Sequence, residues 1–196
     1  MNNIILIAPP AAGKGTQSEF IKAKYQIPII SVEELFVKQL SDEVILQLLA
    51  ERISRPDCIN GYVLDDYPRN IAQAEGYLRM LQALNEPLGK VIYLNLPQET
   101  ARKRVVGRLY CTNCNTMFND QFDDSKPKRF GTCDNCNASL TRKEEDNEDS
   151  FNERYNKFKD ETEPLVEFFE KKGLLFRVGS GISKERTFSE IEKILR

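Results

Sequence analysis

Ala8-Pro9-Pro10-Ala11-Ala12-Gly13-Lys14-Gly15-Thr16 is the stretch on which the reading of this chain turns. It follows the apolar run Asn3-Ile4-Ile5-Leu6-Ile7, which has the length and aliphatic character of a strand buried in a parallel sheet. It precedes Gln17-Ser18-Glu19-Phe20-Ile21-Lys22-Ala23-Lys24-Tyr25, which reads as an amphipathic helix. A loop placed between a strand and a helix N-terminus turns backbone N–H groups toward phosphate oxygens, and the helix dipole favours the negative charge. Ala11, Ala12, Gly13, Lys14, Gly15 and Thr16 supply those groups, Lys14 reaches between β- and γ-phosphates, and Thr16 can hold Mg²⁺ or its water shell. The signature asks for glycine where Ala8 stands. A positive φ there would cost about 1 kcal/mol, whereas a requirement for a small side chain alone is met by alanine. The intact Gly13-Lys14-Gly15-Thr16 favours the second case.

Working outward, short strands are expected at Ile27–Ile30, Gly61–Asp66, Lys90–Leu96 and Leu174–Val178. Helices are expected over 32–40, 42–54, 71–84, 98–107, 143–172 and 184–195, with Ser41 capping the second of them. Strands alternating with helices imply an α/β protein, a five-stranded parallel sheet covered on both faces. Residues 109–142 break the periodicity with four cysteines, many polar residues and little aliphatic content, and read as a separately stabilised insert.

Those cysteines are Cys111-x2-Cys114 and Cys133-x2-Cys136. Two close pairs of soft thiolates suit tetrahedral Zn²⁺ and leave no open position for catalysis, so a structural metal is expected. It would replace the core that an insert of this size cannot build. Disulfides are the less favoured reading, because no secretion signal is recognised. Cys58 stands alone and reads as a half-buried filler.

With 28 basic and 30 acidic residues, the formal charge of −2 argues against broad electrostatic capture of a nucleic acid polymer or an anionic membrane. No apolar run approaches the roughly 20 residues that span a bilayer, and a cytoplasmic address is the default expectation. Small nucleotides remain open as partners, since they need only a few arginines in a cleft.

Taken together, these segments resemble the adenylate kinase family, of the bacterial type with a zinc-stabilised lid, over nearly the whole chain. Residues 8–16 resemble the family's loop, with alanine replacing glycine at Ala8 and Ala11. Pro56-Asp57-Cys58, Gly61-Tyr62-Val63-Leu64-Asp65-Asp66-Tyr67-Pro68-Arg69-Asn70 and Gln73-Ala74 are similar to a second family segment. The resemblance implies a P-loop NTPase fold that transfers a phosphoryl group from ATP to AMP. It implies that Asp65 orders the Mg²⁺ shell, Arg69 grips the acceptor phosphate, and Ser31 and Gln73 belong to the acceptor site. Arg104-x-x-Gly107-Arg108 resembles the hinge into the lid, whose arginines bind ATP phosphates. Arg142 or Lys143 would fill the role at the lid exit, Arg154 would act on the transferring group, and Gly179 lies in a loop that touches adenine by its backbone. On this reading residues 1–30, 56–108 and 143–196 form the core, 31–55 a reduced monophosphate-binding part, and 109–142 the lid, working as a monomer.

The acceptor side departs from the family. Ser31-Val32-Glu33-Glu34-Leu35-Phe36 puts Phe36 where the family has a phosphate-binding arginine, with Lys38 as a candidate replacement. About two short helices of the monophosphate-binding part are expected to be missing, and Asp66 replaces a glycine. Two alternatives therefore stay open: a P-loop kinase or NTPase with another small acceptor, and a degenerate ATP-binding protein with little turnover. Lys14, Asp65, Arg69, Gln73, Arg108 and Arg154 together weigh against the last, since a folded core does not require that set.

Overall fold

Strand alternation sorts the aliphatic residues onto two faces. The structure is a computed structural model that describes residues 2–32 and 40–196. Its main sheet contains β1 (Asn2–Ile7), β2 (Ile29–Ser31), β3 (Gly61–Asp65), β4 (Lys90–Asn95) and β8 (Leu175–Gly179), all parallel, in the order β2-β3-β1-β4-β8. Ile5, Ile7, Leu64, Val91 and Tyr93 face one side, against α2 (Asp42–Ile53), α3 (Ile71–Ala83) and α6 (Pro164–Lys171). Ile4, Leu6, Val63, Ile92 and Leu94 face the other, against α1 (Lys14–Tyr25), α4 (Gln98–Val106), α5 (Glu148–Lys157) and α7 (Lys184–Leu195). Burial on both faces is why β1, β3 and β4 read as continuous apolar runs, whereas the edge strand β8 leaves Phe176 and Arg177 exposed.

Four of the helices begin where a short polar residue occupies a first-turn N–H group. Ser41, Asn70, Asn147 and Ser183 each accept a hydrogen bond from the backbone three residues on, at Val44, Gln73, Ser150 and Arg186. Ile45, Leu49 and Ile53 recur at four-residue spacing and form the buried stripe of α2.

Three expectations need correction. The helix expected over 143–172 starts only at Glu148, because Asn147 caps it, and a π-turn over Phe158–Thr162 separates α5 from α6. Residues 109–142 are not without regular structure: β5 (Arg108–Cys111) pairs antiparallel with β6 (Met117–Asn119) and β7 (Leu140–Thr141). Cys58 is fully buried, at 3% exposure, and burial raises its thiol pKa. The helix expected over 32–40, with Phe36 and Lys38, lies outside the described residues.

Candidate active site

The C-terminal ends of the adjacent strands β1 and β3 bring two loops together. The β1–α1 loop and the Asp66–Arg69 segment wall a cleft of about 610 Å³, closed on its other side by Val105, Arg108, Arg154, Lys157 and Phe158. In open parallel sheets this is the end at which ligands bind.

The loop backbone follows from its sequence. Gly13 sits at the N-cap of α1 with φ 87, a left-handed conformation that glycine adopts without strain. Ala11 is also left-handed, at φ 60, whereas Ala8 is not among the positive-φ residues. Ala8 therefore only has to be small, and the strain of alanine for glycine falls on Ala11 instead. No side chain caps α1, so its first-turn N–H groups are left for a ligand.

Lys14 projects from the first residue of that helix onto two carboxylates. Its Nζ lies 2.6 Å from Asp65 Oδ1 and is also paired with Asp66 Oδ1. Burial disfavours the ammonium, yet the two carboxylates outweigh it and raise the Lys14 pKa. Asp66 has φ 60, which explains why glycine suits this position. The Asp66 carbonyl accepts from Arg69 Nε at 3.1 Å, and Arg69 lines the cleft.

Gln73 has both ends of its amide engaged. Its Oε1 accepts from Arg69 N at 2.8 Å and its Nε2 donates to Asp42 at 2.9 Å, tying the starts of α2 and α3 together. Ser31 ends β2, in register with Asp65 of β3.

The remaining arginines divide by position. Arg154 and Arg108 stand on the cleft wall. Arg104 donates to Ala11 O at 3.2 Å and to Gly181 O at 3.4 Å, buttressing the phosphate loop against the segment after β8. Burial lowers its pKa, opposed by Asp124. Although four apart, Arg104 and Arg108 do not share a helix face, because α4 stops at Val106 and Arg108 opens β5. Arg142 is held by Asp120 at 2.7 Å and is not on the cleft wall, and Lys143 lies near Glu145 at 3.8 Å. Gly179 ends β8 beside Asn95 of β4.

Sequence reasoning passed over Lys157, which lines the cleft one helical turn beyond Arg154. It also passed over the buried Asp146, whose Oδ1 meets Arg108 Nη1 at 3.3 Å. The three-residue spacing from Arg154 would have flagged Lys157. Asp146 carried no signal beyond its place before the capping Asn147.

Oxygen donors at this site suit Mg²⁺: the Thr16 hydroxyl on α1 and the Asp65 and Asp66 carboxylates are hard ligands of the kind that ion takes. The four cysteines of the insert suit a different metal. Cys111, Cys114, Cys133 and Cys136 place their Sγ atoms within 4.8 Å of one another, with closest pairs at 3.4 and 3.5 Å. Zn–S bonds of about 2.3 Å in a tetrahedron put sulfurs about 3.8 Å apart, so the cluster fits zinc. Both turns are built alike: Asn115 N donates to Cys111 O and Asn137 N to Cys133 O, each at 2.9 Å. Both asparagines are left-handed, at φ 59 and 58. Hydrogen bonding by Thr116 lowers the Cys114 pKa, whereas burial raises that of Cys133, so the four thiols are not alike before a cation joins them.

The insert is latched to the core at its entry. Asn119 Nδ2 donates to Arg104 O at 3.0 Å, at the end of α4. A Cβ on Gly107 would stand 2.2 Å from Asn119 Oδ1, so only glycine lets the two approach. No helix among the described residues is long and apolar enough to cross a membrane.

Comparison with known proteins agrees with this geometry. The family model described as adenylate kinase matches residues 37–174. The adenylate kinase of Archaeoglobus fulgidus is 35% identical over 98% of this chain and 97% of its own length. That of Syntrophobacter fumaroxidans is 36% identical over 98% and 99%, and that of Geotalea daltonii 35% over 99% of each. These alignments run over 213 or 214 positions against a chain of 196, so the relatives carry segments that this chain lacks. With a lysine-bearing phosphate loop, cleft-wall arginines and a four-cysteine insert on a five-stranded parallel sheet, the chain belongs to the adenylate kinase family.

Proposed function

We propose that the chain transfers the terminal phosphoryl group of ATP to AMP, giving two ADP, in the cleft between the β1–α1 loop and α5. The observation that carries this reading is the convergence of Lys14, Arg69, Arg108 and Arg154 on one cavity. Phosphoryl transfer needs no protein nucleophile; it needs in-line positioning and cations around the developing charge.

On this reading the N–H groups of Ala11 to Thr16 and the Lys14 ammonium hold the ATP phosphates, while Arg69 clamps the acceptor phosphate in its planar fork. Mg²⁺, when bound, spreads the charge of the β- and γ-oxygens, and Thr16 and Asp65 are the residues that would hold it or its waters. Arg108 and Arg154 act on the transferring group, and Gly179 meets adenine by its backbone with Arg104 close by. Ser31 and Gln73 contribute to the acceptor site. Closure of the insert 109–142 excludes water and brings in Arg142 once it exchanges Asp120 for phosphate. Cys111, Cys114, Cys133 and Cys136 hold structural zinc. The core, the reduced monophosphate-binding part and the lid have the bounds given above, and the chain works as a cytoplasmic monomer.

A second reading, another small phosphate acceptor, is favoured by one observation. Gln73 would have to release Asp42 or Arg69 N to read a base. Zinc-loaded protein incubated with Mg-ATP and AMP, CMP, UMP, GMP or dTMP, with a no-acceptor control, separates the two. Prompt ADP formation with AMP supports the first; turnover only with another acceptor or with water supports the second.

A further inference from the structure

Lys14 is shared between two carboxylates, both hard oxygen donors, and the proposed function gives a role only to Asp65. Asp65 ends β3, and its Oδ1 lies 2.6 Å from Lys14 Nζ. Asp66 follows in the left-handed conformation, φ 60, and its Oδ1 pairs with the same ammonium. All three side chains are largely enclosed, at 23% exposure for Lys14, 20% for Asp65 and 32% for Asp66. Asp66 also lines the cleft. Within this trio one ammonium against two carboxylates leaves a local charge of −1 beside the phosphate loop, although Arg69, Arg108, Arg154 and Lys157 line the same cleft. When Lys14 turns to the phosphates, both carboxylates face that charge without its ammonium, and partial enclosure limits the screening of the repulsion.

We propose that Asp66 is a specificity-determining residue that makes this cleft reject metal-free nucleotide and accept the Mg²⁺ complex. A divalent cation arriving with the nucleotide supplies the positive charge that Lys14 takes away from the carboxylates. Metal-free ATP brings only further negative charge. Discrimination thus comes from a repulsive element that acts against the wrong ligand. The inference rests on the assignment of Lys14 to the nucleotide phosphates.

The test is equilibrium binding of ATP by calorimetry, once in excess Mg²⁺ and once in excess EDTA. The chelator is removed before each Mg²⁺ run, and zinc content is checked on every sample. Wild type is compared with Asp66→Asn and Asp66→Gly, both of which tolerate a left-handed backbone. The readout is the ratio of the two affinities within each protein, which a loss of stability alone does not change. The expected result is a wild-type preference for the Mg²⁺ complex that falls about tenfold or more in both variants, through tighter metal-free binding. An unchanged ratio in both variants overturns the proposal. Lys14→Ala separates the two levels: if it leaves both affinities as in wild type, the assignment of Lys14 fails. If it weakens them while the Asp66 variants keep the wild-type ratio, only the role of Asp66 fails.

Discussion

Arg108 at the entry to the four-cysteine insert is joined to Asp146 at its exit, Nη1 to Oδ1 at 3.3 Å, although 38 positions separate them in sequence. Asp146 is 1% exposed and Arg108 27%, so the pair fastens both connections of the insert to the buried edge of the core. Asp146→Ala leaves the guanidinium without its partner at a half-enclosed site. It is expected to cost about 1–3 kcal/mol of stability. Urea denaturation at neutral pH measures it, and a loss below about 0.3 kcal/mol would show that the pair does not anchor the insert.

The four-cysteine cluster is expected to stabilise the insert and not the sheet, since its ligands all lie in residues 111–136, outside the main sheet. Chelation of zinc should make residues 109–142 sensitive to limited proteolysis while the circular dichroism of the core persists. Cys133→Ser should reproduce the effect. Loss of all structure on chelation, or continued protection of the insert, would contradict this division.

Ala11 holds a left-handed backbone that costs alanine about 1–2 kcal/mol. Part of that is offset because glycine loses more chain entropy on folding. Ala11→Gly is therefore expected to stabilise by about 0.5–1 kcal/mol in thermal or urea unfolding. Ala8→Gly, with no positive φ to relieve, should be neutral or destabilising. The two substitutions thus differ in sign or size at sites three residues apart.

The buried hydroxyls of Tyr62 and Tyr77 meet at 2.6 Å. Burial raises the Tyr62 pKa from 10.0 to about 12 and raises that of Tyr77 well above its ordinary value. A raised folded-state pKa means that the stability is fully present below about pH 10. It is lost as pH climbs from 10 toward 12, where the unfolded chain releases protons that the folded one retains. For Tyr62 the shift corresponds to about 2–3 kcal/mol over that window. Urea unfolding between pH 8 and 11.5 should show the decline, and the double variant Tyr62→Phe, Tyr77→Phe should make it shallower, with buried Tyr67 among the groups that keep part of it. A wild-type curve no steeper than that of the variant would refute the assignment.

Strand and helix order was legible because the central strands are buried on both faces and four of the helices begin at a short polar cap, both local properties of the sequence. Ser41 and the run Ile4-Ile5-Leu6-Ile7 are examples. The start of α5 was not legible from its charged, helix-compatible approach, since Asn147 ends that approach only by turning its side chain back to Ser150 N. The phosphate loop was readable because its chemistry is contiguous in sequence. Asp66 on Lys14 and Asp146 on Arg108 were not, since each pair forms only when distant segments pack. Where Ala11 and Ala8 differ in backbone conformation, composition alone had no means to tell them apart.

The proposed transfer depends on Lys14 as the cation that holds the nucleotide phosphates in the cleft. The direct measurement is the initial rate of ADP formation from Mg-ATP and AMP for wild type and Lys14→Ala, on samples matched for zinc content and circular dichroism. The predicted result is prompt turnover by the wild type and a rate at least about a thousandfold lower for the variant, with the fold intact. A folded, zinc-loaded Lys14→Ala protein within a few-fold of the wild-type rate would contradict the account.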